Sequence, residues 1–484
     1  MGTVAESALA GVGLGYRREL AASLLTAPSA VDFVEIIAES CFASEPMLRE
    51  VQGLAEIWPV LPHGIKLSLG SADGIDEDHA RRLGALCRQL RAPLISEHVA
   101  FTRGRRREIG HLTQLPLSRT AVSVVARNLG RVRRHLPDVP FLLENPAWTL
   151  RWSDDEMDEG SFFHEIVAAT GCDLLLDIAN IYANATNSGQ DPLTLLRSYP
   201  LSRVAMVHMA GGAWREGFYV DTHCHPTPPA VWQLLAELVR IRGPLPIILE
   251  RDGRYPPWAE LKGELDIARR TQHEPATPSR RDDSEAPTER AGTRHAEVSP
   301  PVLAGERAHH LAEQQASLAQ LLTSTTGTDG QAWRSEDLAR SRSVLCHKRA
   351  DEVSDCLPRL RAQTSRQQID LYTLALAVLR EHAPAERLPT VVDAWRVATQ
   401  LLSHPTLRNA ARYDLMSLRA RFADSEAGAR PRFAPYVHRV ITEDGSRTWV
   451  VKAPGRRSRV HFFTRPSPAP LNREPSPERP MRSP

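Results

Sequence analysis

The residues able to do chemistry gather first in one stretch, 204–225. It reads V-A-M-V-H-M-A-G-G, then W-R-E-G-F-Y, then V-D-T-H-C-H. An apolar run delivers His208, Gly211 and Gly212 open a loop, and Asp221 and His223 follow two residues apart. Imidazole and carboxylate at the end of a buried strand are metal-ligand chemistry. Residues two apart in an extended segment point the same way, so Asp221 and His223 are expected to face one ion together. The alternative is a core histidine beside a solvated loop.

Similar polar residues recur at or just after other short apolar runs. They are Glu39, His63, His98, Glu144 with Asn145, Asp177 with Asn180, and Glu250 with Asp252. A buried carboxylate without a partner is costly, so a mouth lined by this many acids and imidazoles calls for cations. The set is too large for one tetrahedral zinc and suits two or three ions bridged by carboxylates. Mixed His and carboxylate ligation without thiolate favours iron, manganese or zinc over copper(I). Each residue also has a plainer reading. His63 and His98 read singly as core histidines, Glu144 as a strand-end cap, and Glu250 as a partner of Arg251. Cys224 is a weaker candidate ligand, and His225 a candidate outer neighbour.

These residues need elements to hold them. The apolar runs are 11–15, 33–37, 60–63, 94–98, 141–144, 174–178, 204–208 and 247–250. Near-continuous Val, Ile and Leu is what a strand buried on both faces requires. Helical periodicity lies between them, at 45–58, 76–90, 119–136, 161–170, 230–242 and 259–270. This alternation predicts an α/β fold, a (β/α)8 TIM barrel, in which the C-terminal strand ends and the loops after them carry the site. An open doubly wound sheet is the alternative, and no G-x-G-x-x-G follows the first strand to support it.

After about residue 273 the composition changes. Residues 274–301 are Pro, Ser, Thr and charge, the composition of a flexible linker. Helical patterns return at 309–322, 333–346, 367–381, 391–402 and 410–421. Residues 437–451 alternate around Asp444-Gly445 like a hairpin, 459–463 are a candidate further strand, and 465–484 read as a disordered tail. The expected division is therefore a catalytic barrel 1–273, a linker 274–306, a smaller, mainly helical domain 307–464 and a tail 465–484. The formal net charge of +2 offers no global field for nucleic acid or membrane. No apolar run is long enough to span a bilayer, and no secretory signal opens the chain. Six cysteines without a C-x-x-C suggest reduced thiols and a cytoplasmic protein.

Taken together the motifs resemble one family, the multinuclear non-haem iron-dependent oxidative enzymes (the MbnB-like proteins, formerly a domain of unknown function). The matching pieces are G-V-G-L-G-Y at Gly11, H-G-I-K-L-S-L-G at His63, S-E-H at Ser96, L-E-N-P at Leu143 and L-L-L-D-I-A-N-I-Y at Leu174. V-H-M-A-G-G at Val207, V-D-T-H at Val220 and L-E-R-D at Leu249 complete them. The match covers about residues 11–270. The family usually has Asn after the glutamate of the second strand, where Ser40 follows Glu39 here. The loop carrying R-G-R-R-R at 103–107 is unusually basic.

The resemblance implies a xylose-isomerase-like barrel holding two or three irons (Fe2+ and Fe3+), with dioxygen as co-substrate. The implied metal ligands are His63, His98, Glu144, Asp177, His208, Asp221, His223 and Glu250. Asn180 lies near the metals, and Asp177, Asn180 and Glu250 are the expected catalytic residues. The implied activity is oxidation of a peptide side chain, cysteine above all, in a ribosomally made precursor peptide. A partner protein usually presents the peptide, and the C-terminal region, which matches no family in this reading, is a candidate fused replacement. The basic loop is either solvated or a strip for an acidic leader. The rival readings are a redox-neutral metal enzyme, either a sugar isomerase or epimerase or an endonuclease IV-like phosphodiesterase, and a non-catalytic binding protein.

Overall fold

The computed structural model describes residues 9–42, 44–105, 107–273, 305–324, 333–385, 388–441, 447–455 and 459–465. Of the expected linker 274–306, residues 274–304 lie outside these residues and the last two open helix Gly305–Leu322; of the expected tail 465–484, residues 466–484 lie outside and Arg465 ends strand Val460–Arg465.

Eight parallel strands close a barrel. They are β1 (Val12–Gly15), β2 (Val34–Ile37), β3 (Val60–Gly64), β4 (Ile95–His98), β5 (Phe141–Glu144), β6 (Asp173–Asp177), β7 (Val204–Met209) and β8 (Ile247–Leu249). Each pairs with its sequence neighbour, and β1 closes on β8 with Val12 opposite Ile247 and Leu14 opposite Leu249. The helical patterns form as expected, with ends set by local chemistry. Asp76 accepts the N–H groups of Asp78 and His79 at the start of Glu77–Leu90, and Ser118 and Asp158 cap Arg119–Arg133 and Glu159–Thr170 in the same way.

The strand side chains alternate between two cores. One set, including Val12, Leu14, Val34, Ile36, Leu143, Leu174 and Val207, packs outward under the helices. The other, Phe33, Leu61, Leu94, Leu142, Leu175, Met206 and Ile248, fills the barrel interior. Strand side chains repeat every two residues, so the residue two beyond each interior apolar group also points inward, one layer nearer the mouth. Those residues are Glu35, His63, Ser96, Glu144, Asp177, His208 and Glu250. The apolar layer is thus the floor under the polar one. Gly13 on β1 leaves room for Phe33, whose ring would lie 2.3 Å from an added Cβ.

Two loops at the mouth carry hairpins that the periodicity did not signal. Ala100–Gly104 pairs with Arg107–Gln114 after β4, and Ala213–Arg215 with Phe218–Val220 after β7. Of the basic 103–107 segment, Arg103 and Gly104 end the first strand of the first hairpin and Arg107 opens its second. Arg103 donates to Gly74 O at 3.1 Å, Arg107 to Thr323 Oγ1 at 3.2 Å, and Arg105 faces Glu313 at 3.8 Å. Among the described residues no helix is long and apolar enough to cross a membrane.

The chain divides into two compact units, Met1–Val344 and Leu345–Pro484. The sequence expectation began the second domain at residue 307. The difference lies in helix Gly305–Leu322, whose Leu311, Ala312, Leu318, Ala319 and Leu322 join the core of the barrel. Its fully buried Gln315 accepts from Ala72 N and donates to Gly70 O, each at 2.8 Å. Trp333 and Leu338 join the same core.

The second unit contains the helices Pro358–Gln367, Leu371–Leu379, Pro389–Gln400 and Arg408–Arg421 around its own apolar core. The first of these was not expected. Arg349 makes a two-toothed ion pair with buried Asp393, both contacts at 2.8 Å. Phe422–Ser425 pairs with Gly428–Pro431, and Tyr436–Ile441, Arg447–Lys452 and Val460–Arg465 form a three-stranded antiparallel sheet. The expected hairpin and its extra strand are therefore present, while the Asp444-Gly445 turn lies outside the described residues.

Candidate metal centre

The polar layer of the barrel resolves into three clusters whose donor atoms lie within 4.8 Å of one another. The first is His63, His98 and Glu144. The second is Glu144, Asp177, His208 and Glu250. The third is His223, Glu250 and Asp252. Glu144 belongs to the first two and Glu250 to the last two, so carboxylates join the clusters in a row. Asp221 adjoins the third, with Oδ2 2.8 Å from His223 Nε2.

The spacing suits shared cations. Donors about 2.1 Å from one ion, separated by about 90–110° at the metal, lie about 3.0–3.4 Å from each other. Glu144 Oε2 is 3.4 Å from His63 Nε2 and 3.3 Å from His98 Nε2. His208 Nδ1 is 3.1 Å from both Glu144 Oε1 and Glu250 Oε2, and His223 Nδ1 is 3.3 Å from Glu250 Oε2 and Asp252 Oδ2. Buried atoms lacking a hydrogen-bond partner sit in the same place: Glu144 Oε2, Asp177 Oδ2, Asn180 Oδ1 and Asp221 Oδ1. Native interiors rarely leave such atoms unpaired, and cations are what carboxylates and imidazoles in this arrangement accept. The donor set therefore fits metal ions of the iron, manganese or zinc kind.

The backs of the imidazoles are held. His63 Nδ1 is 2.9 Å from Ser96 Oγ, which turns Nε2 to Glu144. His208 Nε2 is 3.1 Å from Glu35 Oε2, which turns Nδ1 to Glu144 and Glu250. A carboxylate or hydroxyl on the far ring nitrogen is the usual outer support of a metal-binding histidine. Asp177 caps helix Ile178–Ser188 through Oδ1, which accepts from Asn180 N at 2.8 Å, and leaves Oδ2 to the cluster. Asn145 ties the ends of β5 and β6 together by accepting from Asp177 N and donating to Asp177 O. Asn180 Nδ2 donates to Asn145 O, so its free Oδ1 has a set direction.

Charge follows this geometry. Burial opposes the carboxylate of Glu144, but His98, His208 and His63 outweigh it and hold its pKa down at about 2. Burial opposes the charge of His98 as well, yet Glu144 and Glu97 lift it to about 9. His208 and His223 are pushed well up against the same burial by the carboxylates around them. Asp177 is pushed well up by burial, then by Asp221 and Glu144. These shifts favour Glu144 as carboxylate and His98, His208 and His223 as imidazoliums whose protons an arriving metal ion would displace, while Asp177 is pushed toward its neutral form.

The sequence-expected residues fall as follows. His63, His98, Glu144, Asp177, His208, His223 and Glu250 come together in the clusters, and Asp221 lies against His223. Asp221 and His223 do not converge by extended alternation. Strand Phe218–Val220 ends before them, and His223 turns back with a left-handed φ of +52°. Glu250 does not pair with Arg251, which reaches Glu264 at 2.6 Å instead. Glu39 stands apart, accepting from Ile65 N and Lys66 N and meeting His79 Nε2 at 3.0 Å. Cys224 is in none of the clusters, and His225 faces Thr222 and Arg254. Glu35 was missed. Its signal was present in the sequence, since it stands two residues past Phe33 as His63 does past Leu61.

A closed parallel barrel with three carboxylate–imidazole clusters at its mouth defines a TIM-barrel protein built like a metal enzyme. The chain belongs to the family of RiPP precursor modification enzymes MbnB/TglH/ChrH, whose model matches residues 11–273. A UPF0276 protein of Streptomyces avermitilis is 37% identical over 278 residues, which are 55% of this chain and 56% of that relative. The chain thus spans little more than half the length of that protein. A UPF0276 protein of Rhizorhabdus wittichii is 38% identical over 260 residues, 53% of this chain and 93% of the relative. Among solved structures, endonuclease IV from Thermus thermophilus aligns over 55% of this chain and all of its own, at 18% identity and a TM-score of 0.37.

Proposed function

We propose that this chain is a multinuclear, iron-dependent and dioxygen-dependent oxidoreductase that modifies a side chain, cysteine above all, of a ribosomally made precursor peptide. The observation that carries this reading is Glu144, one buried carboxylate shared by two clusters, as expected of a ligand bridging two ions. The family match supplies the class of substrate. We take His63, His98, Glu144, Asp177, His208, Asp221, His223 and Glu250 as the ligands, and Asp177, Asn180 and Glu250 as the residues nearest the reacting atoms.

Bound iron would supply redox chemistry with dioxygen and lower the pKa of a substrate thiol. The chain's own residues do the positioning. Ser96 and Glu35 fix which nitrogen of His63 and His208 faces the ions. The interior floor from Phe33 to Ile248 keeps water out from below. Asn180 Oδ1, whose side chain is held by the bond from its amide to Asn145 O, would be an acceptor for an N–H of the bound peptide. The second unit, 345–484, is the candidate recruiter of the peptide in place of a separate partner.

The test is protein purified without oxygen. It should carry about two to three irons per chain and consume dioxygen only with the precursor peptide. One zinc per chain, or no metal, overturns the reading.

A further inference from the structure

The third cluster differs from the other two in having a permanent cation hydrogen-bonded to one of its carboxylates, Asp252. Arg17 follows β1, and its side chain is only 13% exposed. Its Nε donates to Asp252 Oδ1 at 2.9 Å, its Nη2 bonds to the same oxygen, and Nη2 lies 3.8 Å from Glu250 Oε1. Its Nη1 is committed to Tyr16 O at 2.9 Å. The guanidinium thus hydrogen-bonds the outer oxygen of Asp252 and lies beside that of Glu250, two carboxylates whose inner oxygens, Glu250 Oε2 and Asp252 Oδ2, face His223 Nδ1. Guanidinium cannot give up its proton in a protein, so this charge does not leave when a metal arrives. In contrast, the ion pairs of Glu144 are all with imidazoles, which can give up theirs.

Two further features set the third cluster apart. Asp252 is 39% exposed at its side chain, whereas Glu144 is 1% exposed, so water competes there. Glu250 is also shared with the second cluster, so an ion there already draws on its charge.

We propose that Arg17 makes the His223–Glu250–Asp252 position a weak, exchangeable cation site, while the first and second clusters hold their ions tightly. This rests on the multinuclear reading. Arg17 acts through the two carboxylates, by orienting them and by setting the charge beside them. The resident cation count is therefore two, and the third position fills and empties with the free metal concentration.

Zinc is the probe, because it binds the same ligands without redox chemistry. Metal-free full-length protein is loaded with excess zinc, passed into metal-free buffer, and assayed for zinc per chain. Calorimetric titration of the same proteins gives the affinities. Wild type should retain two ions. Arg17→Met should retain a third, with an affinity about 10- to 100-fold tighter, the scale on which outer neighbours change metal binding. Arg17→Lys keeps the charge but loses the fork, and should still retain two. Weaker zinc binding in both variants would mean that orientation outweighs charge, and would overturn the proposal. Wild type retaining three ions would overturn it too. If circular dichroism shows that Arg17→Met does not fold, Asp252→Asn decides. It should lose the third ion even in excess zinc and keep two, and retention of the third refutes the idea. A wild type that retains no zinc would instead refute the multinuclear reading itself.

Discussion

Metal uptake should be coupled to proton loss, and the coupling can be sized from the site. His98 has its pKa lifted to about 9, because Glu144 and Glu97 outweigh its burial. At pH 7 a group of pKa about 9 is protonated about a hundred to one, so an ion that needs its bare nitrogen binds about a hundredfold, or about 2.7 kcal/mol, more weakly than to a deprotonated site. At pH 8 the penalty falls to about tenfold. The affinity of the first cluster should therefore rise by about tenfold per pH unit in this range, with about one proton released per ion. His208 and His223 are raised in the same direction, so the second and third clusters should each release a proton as well.

The stability of the metal-free protein moves the other way. The folded pKa of His98 lies above its unfolded value, so its contribution, about 3 kcal/mol, is full below about pH 6.5 and is lost as pH rises through about 9. Glu144, held down by the same histidines, contributes fully above about pH 4.5 and loses that contribution as pH falls toward about 2. The gap in Tm between loaded and metal-free protein should accordingly widen from pH 6.5 to pH 9. Zinc titrations in two buffers of different ionisation heat, repeated at pH 7 and 8, count the protons directly. Zinc binding with no buffer dependence of the heat and no change of affinity with pH would refute the picture of imidazolium protons displaced by metal.

Two further outcomes follow from contacts around the site. Glu35→Gln keeps the shape of the group behind His208 but removes its charge, and should weaken the second cluster about 10- to 100-fold. The first cluster should be spared, and equal losses at both would argue against a local role for Glu35. Gln315→Ala should leave Ala72 N and Gly70 O without their partner and cost about 2–4 kcal/mol in chemical denaturation. For the same reason a chain cut after His273 should aggregate, while one cut after Val344 should fold and keep its metal; a soluble, metal-loaded 1–273 fragment would show that helix Gly305–Leu322 is dispensable. Full turnover of precursor by the chain ending at Val344 would sink the recruiting role proposed for the second unit.

Most of the barrel was legible because its signal is local. A strand buried on both faces must be nearly all apolar, so runs such as L-L-E and L-L-L-D announce both the strand and its polar end. The hairpin after β7 was not legible, because Ala213–Arg215 and Phe218–Val220 are only three residues each and pair with one another alone. The boundary at residue 307 failed for a related reason. Helix Gly305–Leu322 has an amphipathic stripe that periodicity detects, but periodicity does not say which surface the stripe will meet. Here it meets the barrel, as Gln315 records by bonding to Gly70 and Ala72.

The site itself shows what a rule about strand ends captures and what it leaves out. Choosing the last polar residue of each apolar run finds His63, Glu144, Asp177, His208 and Glu250, since each lies one inward step beyond a floor residue. It also takes in Glu39, which follows β2 on the helix Ala38–Phe42 and turns to His79 instead. It passes over Glu35, which stands inside the apolar run V-E-I-I. Counting two residues from the interior Phe33 corrects both, because direction along a strand is fixed by parity and not by where the strand stops. Asp221, His223 and Arg17 obey neither rule. They lie on loop backbone, His223 at a positive φ, and their convergence depends on a turn that no period encodes. The parity-placed residues build the two deeply buried clusters, and the loop-placed ones build the third. Loops carry fewer packing constraints than strands, so the third cluster is the part of the centre best able to differ in affinity without disturbing the barrel.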